Sequence, residues 1–393
     1  MSRFRLTSIT ILLALPGLAT AASFIPLGGL PGAPSIYSTA AAVSADGTVV
    51  VGWGADPDGY QRAFRWTSAT GMVNLGLLPG GAFFGPSHAN GVSADGSVVV
   101  GFSWSGQAPG QAFRWTSATG MVALPRLPGG SDDSGATGIT PDGALIVGGA
   151  SGASGQIEAA LWSAAGGTGL GFLPGGTAFS EATGISADGS VVVGTSPSTD
   201  GFQAFRWTGA GGMIGLGDLA GGTFESRATA TSTDGAAVVG WSQSSIGEQA
   251  FRWTDATGML GLGNLPGRFG SVATGISGNG SIVIGNADGG PAQRDAFIWT
   301  EANGIQRLLD ILVAGGASGL TDWRLIDASG ISPDGNWVVG KAINSLGETH
   351  AFLANIAPIP VPPAVWLFGS AFGLLGCIRR TAVGCLGAPR RSD

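Results

Sequence analysis

The sequence predicts an all-β fold, a seven-bladed β-propeller of ~46-residue four-stranded repeats closed by the N-terminal strand. The first observation is a stretch of the type ISADGSVVVG (185–194), which recurs along the chain. The second is an element of the type AFRWT that follows each such stretch, and the third is an element of the type GMVNLGLLPGG. Because the three elements return in the same order, each repeat is one supersecondary unit.

Each element has a local physical meaning. The run SVVVG is β-branched and ends in Gly, which is typical of a strand buried on both faces. Asp-Gly in front of it favours a tight hairpin, because Gly accepts a positive φ without steric cost. AFRWT predicts a further strand, and Pro-Gly-Gly predicts a loop. The repeat therefore contains four short strands joined by turns.

The turn residues fix the period. Successive turns are separated by 49, 47, 46, 46, 45 and 55 residues, which matches the length of a propeller blade. The turn residues are Asp46, Asp95, Asp142, Asp188, Asp234, Asn279 and Asp334.

Ring closure is predicted from an element that is out of phase. The last unit ends in HAFLANI without the third element, whereas SFIPLGGLPG at 23–32 resembles that element and precedes the first unit. If the N-terminal strand pairs with the last unit, the sheet has no open edge there. The alternative is an open β-solenoid, whose repeats are usually about 20–30 residues.

The sixth junction breaks the pattern. IQRLLDILVAGGASGLTDWRLIDASG, in the irregular 305–330 segment, replaces the usual loop, and its leucines at 308, 309 and 312 predict a short amphipathic helix on one face of the ring. A simple insertion is the expected explanation of this segment, and a special site, if the chain has one, is expected there.

Composition excludes several function classes. Apolar residues make up 44% and charged residues 11%, and the 72 glycines have no collagen-like period, so the chain can bury a core. Six of the 18 Lys and Arg and one of the 25 Asp and Glu lie at the two ends, so the body is strongly acidic. Lys341 is the only lysine. Such a surface binds polyanions poorly, and no nucleic-acid partner is expected.

The N-terminus predicts export. Residues 1–21 contain Arg3 and Arg5, an apolar run, and Ala19-Thr20-Ala21, which together form the pattern of a signal peptide. A buried first helix is the alternative. The two cysteines, Cys377 and Cys385, lie in the C-terminal tail, so the exported body, 22–357, has no disulfide.

The C-terminus carries a second apolar segment. Residues 358–380 run from a Pro-rich spacer through about fifteen apolar residues to Arg-Arg, with a Trp near one end, which favours a membrane-directed helix. The order of these residues resembles PEP-CTERM sorting signals. Two features depart from that pattern: Pro-Ile-Pro stands for the usual Pro-Glu-Pro, and a tail, 381–393, follows the arginines. The residues that carry the resemblance are Pro358, Pro360, Trp366, Arg379 and Arg380.

The body of the chain resembles the HAF family of extracellular repeats. Its hallmark is present as His350-Ala351-Phe352, and three units have Gln in the first place (Gln111, Gln203, Gln249). The two resemblances imply an exported protein at the cell surface or secreted, held in the inner membrane until exosortase-type sorting machinery removes the tail. The HAF resemblance implies no known reaction.

The recurring aspartates are interpreted as framework. Calcium needs six to eight oxygen ligands, and one Asp per turn is too few. Glycosidases need a pair of carboxylates with separated pKa values, whereas these aspartates recur in every blade. A sialidase-like site would need a tyrosine nucleophile, and the only tyrosines, Tyr37 and Tyr60, lie in the first unit. With two histidines in the chain, no His-rich metal site is expected either. We expect no catalytic residue, cofactor or metal.

Arginine occurs in the AFRWT element of four units, as Arg65, Arg114, Arg206 and Arg252. Each of these units also has its turn Asp, so we expect each Arg to bond a turn carboxylate or nearby backbone carbonyls, within or between blades. Trp53, Trp104 and Trp241 follow the buried strand and could stack on sugar rings if exposed, or pack at blade edges.

The function predicted from these features is non-enzymatic. We expect an exported repeat protein with a binding or structural role, associated with exopolysaccharide. One alternative is a propeller enzyme acting on extracellular glycans, and another is a permanently membrane-tethered surface receptor.

Overall fold

The computed structural model describes residues 21–81, 84–106, 110–290 and 293–356. The predicted signal peptide, except its last residue, and the predicted sorting signal and tail lie outside the described residues. Within the described ranges, no helix is long and apolar enough to cross a membrane.

The chain forms seven four-stranded antiparallel sheets, as the period predicts, so the propeller is confirmed. The first strand of each blade is its inner strand, since these strands contact one another from blade to blade. Blades 1 to 3 consist of β2 (Ser38–Val43), β3 (Val50–Ala55), β4 (Gln61–Thr67) and β5 (Gly71–Asn74); β6 (Ser87–Val92), β7 (Val99–Ser103), β8 (Gln111–Thr116) and β9 (Gly120–Ala123); and β10 (Ser134–Ile139), β11 (Ile146–Ser151), β12 (Ile157–Ser163) and β13 (Gly166–Gly169).

Blades 4 to 7 follow the same order. They consist of β14 (Glu181–Ile185), β15 (Val191–Pro197), β16 (Phe202–Thr208) and β17 (Gly212–Gly215); β18 (Gly221–Thr231), β19 (Ala237–Ser244), β20 (Gly247–Thr254) and β21 (Gly258–Gly261); β22 (Gly270–Ile276), β23 (Ile282–Asp288), β24 (Arg294–Thr300) and β25 (Gly304–Arg307); and β26 (Trp323–Ile331), β27 (Trp337–Asn344) and β28 (Thr349–Asn355) with β1 (Ser23–Pro26).

The predicted closure is also confirmed. Strand β1 pairs antiparallel with β28, with Ser23 opposite Asn355 and Pro26 opposite Phe352. The ring of Phe24 packs on Phe352 at a centroid distance of 5.7 Å. The N-terminal strand therefore supplies the outer strand of blade 7 and leaves β28 with no free edge.

The irregular sixth junction forms α1 (Leu308–Ala314), as its leucines predict. Leu308 and Leu312 are fully buried, and the helix packs on blades 6 and 7. The amide of Ala22 donates to the carbonyl of Gly315 at 2.9 Å, so the start of the described chain is bonded to the end of this helix.

A serine in or just before the inner strand joins six of the seven blade pairs, and it is buried in all of them except at Ser134, which is partly buried. Its Oγ accepts a hydrogen bond from the backbone amide of the alanine in the AFRWT element of the preceding blade, at 2.8–3.0 Å. The bond from Ala351 to Ser38 closes the ring between blades 7 and 1. The six serines are Ser38, Ser87, Ser134, Ser180, Ser226 and Ser271.

The Gly that follows the apolar run inside the second strand of each blade has a steric cause. Every inner strand has a register shift after an alanine, and the carbonyl before that alanine lies against the Gly of the next strand. A Cβ at this Gly would lie 1.9–2.0 Å from that oxygen in all seven blades, so no other residue fits.

The turn Gly has a second steric role, which is between blades. Its φ lies between +70° and +79° in all seven turns. A Cβ at Gly96 would lie 2.4 Å from Val49 of the preceding blade, and one at Gly47 would lie 2.3 Å from Trp337 of blade 7. Each of these turns therefore packs against the preceding blade, in addition to its own internal hydrogen bonds.

The apolar core lies between adjacent blades. One cluster joins Val49, Val51 and Ala63 of blade 1 to Phe113 of blade 2, and the AFRWT-type phenylalanines are fully buried in six blades. These buried aromatics, together with the aliphatic side chains around them, form the apolar core of the blades.

Substituting the steric Gly tests this account. We expect Gly194→Ala to destabilise the fold by about 1–3 kcal/mol or more, because its Cβ would meet the carbonyl oxygen of Glu181 at 2.0 Å. Gly209→Ala is the matched control, since its nearest neighbour would be 3.9 Å away. Urea unfolding of both variants measures the difference, and equal midpoints would contradict the steric explanation.

Candidate functional site

The propeller has two faces, which the connections define. The turn face carries the Asp-Gly turns and the turns such as 67–71 that lead into the outer strands. The loop face carries the loops between the second and third strands, such as 56–60, and the connections between blades, such as 75–81.

All seven turn residues lie on the turn face, exposed, and each is bonded within its own turn. The hydroxyl two residues earlier donates to the carboxylate or amide oxygen at 2.5–2.8 Å. In the second blade, the Ser93 hydroxyl and then the amide of Ser97 lower the pKa of Asp95 to about 2. Because the side-chain oxygens of the turn residues accept hydrogen bonds from their own turns, this geometry favours a structural role for these residues.

The described residues contain no group of three or more His, Cys, Asp or Glu side chains that could hold a metal ion. Each turn hydroxyl that donates to the aspartate also accepts a backbone amide, as Ser93 accepts from Val98 at 3.0 Å. The turn is thus a closed network of hydrogen bonds.

Of the two expected kinds of partner, three of the four arginines bond backbone carbonyls, and none of the four forms an ion pair with a turn carboxylate in the described part of the chain. The Nε atoms of Arg65, Arg206 and Arg252 donate to the turn Gly carbonyls of the following blade at 3.1, 3.5 and 3.0 Å. Arg114 lines a cavity together with Gly143 of the following blade.

Each of these arginines reaches the turn of the following blade, not the turn of its own blade. Arg252 bonds Gly280, whose turn has Asn279 in place of Asp, so the arginine does not need a charge in the turn it reaches. The co-occurrence of Arg and Asp within one unit does not reflect contact.

We expect Arg206→Met and Asp188→Asn to be additive in stability within about 0.5 kcal/mol, because Arg206 bonds blade 5 and Asp188 bonds its own turn. A double-mutant cycle by urea unfolding measures the coupling. A coupling of about 1 kcal/mol or more would restore the direct pair.

The first two strands of each blade differ in residue type from blade to blade at their ends near the loop face. In all seven blades, the fixed Ala of the inner strand faces the fixed Gly of the second strand. The next pair toward the loop face is different in every blade, and we call these the variable pairs. They are Thr39/Trp53, His88/Phe102, Gly135/Gly149, Glu181/Thr195, Arg227/Trp241, Val272/Asn286 and Asp327/Lys341.

Aromatic side chains connect the variable pairs of blades 1 and 2. Trp53 packs between Tyr37, at 5.4 Å, and His88, which stacks on it at 4.8 Å with an interplanar angle of 12°. His88 also meets Phe102 edge-on at 4.7 Å, and its Nε2 lies 2.7 Å from Oε1 of Gln61. Burial lowers the pKa of His88 to about 4, so its ring is a neutral member of the stack at neutral pH.

The stack ends at blade 3, where the variable pair is Gly135/Gly149. A pocket of about 420 Å³ opens there, lined among others by Phe102, Phe179, Asp133 and Glu181. A Cβ at Gly149 would lie 3.0 Å from Cγ2 of Ile157 and 3.5 Å from Cγ of Glu181, and one at Gly135 would lie 3.8 Å from Cβ of Phe102, so side chains at these two positions would narrow the pocket.

Glu181 is the titratable group in this pocket with a perturbed pKa. Its side chain is reached by solvent from the open pocket, but the surrounding protein removes much of its hydration, and this desolvation raises its pKa while Arg227 opposes the shift. The pocket therefore combines two aromatic faces with two carboxyl groups.

Aromatic contacts resume beyond the pocket. Phe179 meets Phe202 edge-on at 6.1 Å, and the guanidinium of Arg227 lies 4.6 Å from the Phe202 ring and 5.5 Å from the Trp241 ring. Together with the stack on blades 1 and 2 they form an aromatic arc on the loop face. Its members are Tyr37, Trp53, His88, Phe102, Phe179, Phe202, Arg227 and Trp241.

The three tryptophans predicted for stacking have different surroundings. Trp53 and Trp241 belong to the arc, but His88 covers one and Arg227 approaches the other. Trp104 is 39% exposed and lies two residues beyond the equivalent position. Two rings of the arc are exposed: Tyr37 at its end in blade 1, and Phe202 in blade 4. The sequence did not identify Tyr37, Phe202 and Glu181 as candidate binding residues. They could have been found by comparing the positions at which the repeat units differ.

The irregular segment borders a second pocket on the loop face, of about 270 Å³, between blades 6 and 7. Arg268, Arg307, Arg324 and Asp295 line it. Arg307 donates to Asp295 Oδ2 at 3.1 Å, and Arg268 donates to the same oxygen.

No protein-family model matches the sequence, and no curated protein sequence matches it. Among solved structures, the fold is similar to TolB from Acinetobacter baumannii, at 13% identity and a TM-score of 0.45, over 80% of this chain and 65% of that one. It is similar to oligogalacturonate lyase from Vibrio parahaemolyticus, at 12% identity and 0.48, over 86% and 98%. It is also similar to the propeller domain of the Trilobed protease from Pyrococcus furiosus, at 10% identity and 0.49, over 85% and 95%. At these values, the likenesses concern the fold alone.

Proposed function

We propose that this chain is an exported binding protein that holds glycan chains on its loop face without transforming them. The observation that carries the proposal is the aromatic arc together with the pocket at Gly135 and Gly149, which lies between two parts of the arc. Aromatic faces stack on the C–H faces of sugar rings, and carboxylates accept hydrogen bonds from sugar hydroxyls. The arc and the pocket combine both kinds of group.

The extent of the arc supports a chain-like ligand. It runs from Tyr37 in blade 1 to Trp241 in blade 5, across the variable pairs that the frame leaves free. The exposed rings of Tyr37 and Phe202 lie on either side of the pocket, with 42% and 37% exposure. A ligand with several similar units in a row would contact both rings and the pocket between them.

Export and sorting form part of the same proposal. The signal-peptide pattern of 1–21 and the PEP-CTERM-like pattern of 358–380 support transient anchoring in the inner membrane followed by release or attachment at the surface. An exopolysaccharide is then the partner that the protein would meet. Mass spectrometry of the secreted form checks this, since it should begin near Ala22 and lack Trp366.

The binding test uses this secreted form and neutral hexasaccharides of several linkages. We expect Tyr37→Ala and Phe202→Ala each to weaken the binding of the preferred hexasaccharide about fivefold, the value of ~1 kcal/mol for a lost aromatic contact. Phe269→Ala is the matched control, because this ring is 65% exposed but lies outside the arc, and it should bind as the wild type does. No binding by the folded wild type, or equal loss in the control, would refute the proposal.

A propeller enzyme acting on glycans is the second candidate, and one observation favours it. Glu181 has the raised pKa that a general acid needs, and Asp133 lines the same pocket. Glu181→Gln separates the two candidates, because a binding protein keeps most of its affinity while an enzyme loses turnover. Release of reducing ends from the preferred glycan by the wild type, abolished in Glu181→Gln, would establish the enzyme instead.

A further inference from the structure

We propose that the second loop-face pocket, between blades 6 and 7, binds the carboxylate of an acidic sugar residue, so that the ligand is a uronate-containing glycan. This inference rests on the proposed function and names its ligand class. The pocket is lined by Arg268, Asp295, Arg307 and Arg324, with Ala296, Leu309 and Leu325 beside them.

The distribution of charge is the first argument. The body, 22–357, is strongly acidic, yet five of its cationic residues lie in this region. They are Arg268, Arg294, Arg307, Arg324 and Lys341. The lining itself has three arginines and one carboxylate. The pocket is therefore an electropositive site in an acidic protein, which favours an anionic ligand.

The second argument is the ratio of cations to carboxylates around Asp295 and Asp327. Arg268 and Arg307 share Asp295, and Arg294 and Lys341 share Asp327 at 2.9 and 2.8 Å. One carboxylate for two cations leaves a positive excess in each group. Glu248 and Asp288 lie near Arg294 and offset its charge, so the excess is concentrated at the pocket lining.

The donor geometry is the third argument. Asp295 and Arg268 are largely buried, with side chains 16% and 12% exposed, so this pair is a fixed wall. Arg307 is 43% exposed and uses one Nη in its bond to Asp295. A guanidinium has five N–H donors in a planar fork that matches a carboxylate, so Arg307 can bond a second carboxylate from the pocket side.

Size and polarity narrow the ligand further. A volume of about 270 Å³ lies below the ~300–1,000 Å³ of pockets for drug-sized ligands, which fits one sugar residue. Leu309 from α1 and Leu325 from β26 supply the aliphatic contact that a sugar ring requires. A sugar ring that bears a carboxylate can bond the arginines through the carboxylate and contact the two leucines through its apolar face.

The test compares galacturonate trimer with its carboxyl-reduced neutral analogue, by calorimetric titration of the secreted protein at low salt. We expect the acidic trimer to bind at least tenfold more tightly, and Arg307→Gln to remove most of that difference while leaving neutral binding unchanged. Arg307→Lys should fall between them, because it keeps the charge but loses the planar fork. Arg114→Gln is the control for lost charge, since Arg114 lies toward the turn face of blade 2.

The outcomes separate this inference from the proposed function. Equal binding of both trimers, or an unchanged preference in Arg307→Gln, overturns the acidic-sugar site while the neutral hexasaccharide results stand. Displacement of the acidic trimer by equimolar inorganic phosphate would show a general anion site and also overturns the assignment to a uronate. If the folded protein binds neither neutral nor acidic glycans, the proposed function itself fails.

Discussion

The contact between neighbouring inner strands is the constraint on which the rest of the structure depends. A blade of four short strands cannot bury both of its faces alone, so each must fit its neighbours closely near the axis. Within each blade, the fixed Ala–Gly pair sets the shape of the inner strand, because the Gly leaves room for the carbonyl of the shifted inner strand. The serines of the inner strands then satisfy backbone amides that the crossing between blades would leave without partners.

A second set of contacts on the turn face holds the same geometry. The amide between the turn hydroxyl and the turn Asp bonds the equivalent carbonyl of the next blade, as Ala45 bonds Ala94 at 3.0 Å and Ala187 bonds Thr233 at 2.9 Å. The turn Gly and the arginine add packing and a further bond across the same boundary. The aspartate therefore stabilises the conformation of a turn that is hydrogen-bonded to the adjacent blade. This explains why it recurs in nearly every blade and why Asn279 can replace it.

The ring, its seven blades and its closure could be predicted because a repeat period and an out-of-phase element are properties of the chain alone. For the arginines, the sequence left two kinds of partner open, a turn carboxylate or a backbone carbonyl, and could not decide between them. In a ring, the residue next in space belongs to the following unit, and within-unit co-occurrence of Arg206 and Asp188 suggested the wrong neighbour. The variable pairs were missed for a related reason, since a search for repeats notices what is constant, and Gly135 and Gly149 are informative only as exceptions.

The division between constant and variable positions also explains where a function can arise in such a molecule. The constant positions are fixed by sterics in every blade, so a change there costs stability and offers no new chemistry. The variable pairs stand one step toward the loop face, where the frame makes no demand on side-chain type. Substitution there is free to produce a neutral aromatic stack around His88, an open pocket at Gly135 and a cation–π contact at Arg227. The irregular junction adds charge outside that circle, at Arg307 and Arg324. A rigid frame that repeats seven times can therefore present one continuous and asymmetric face, and asymmetry is what recognition of a directional polymer requires.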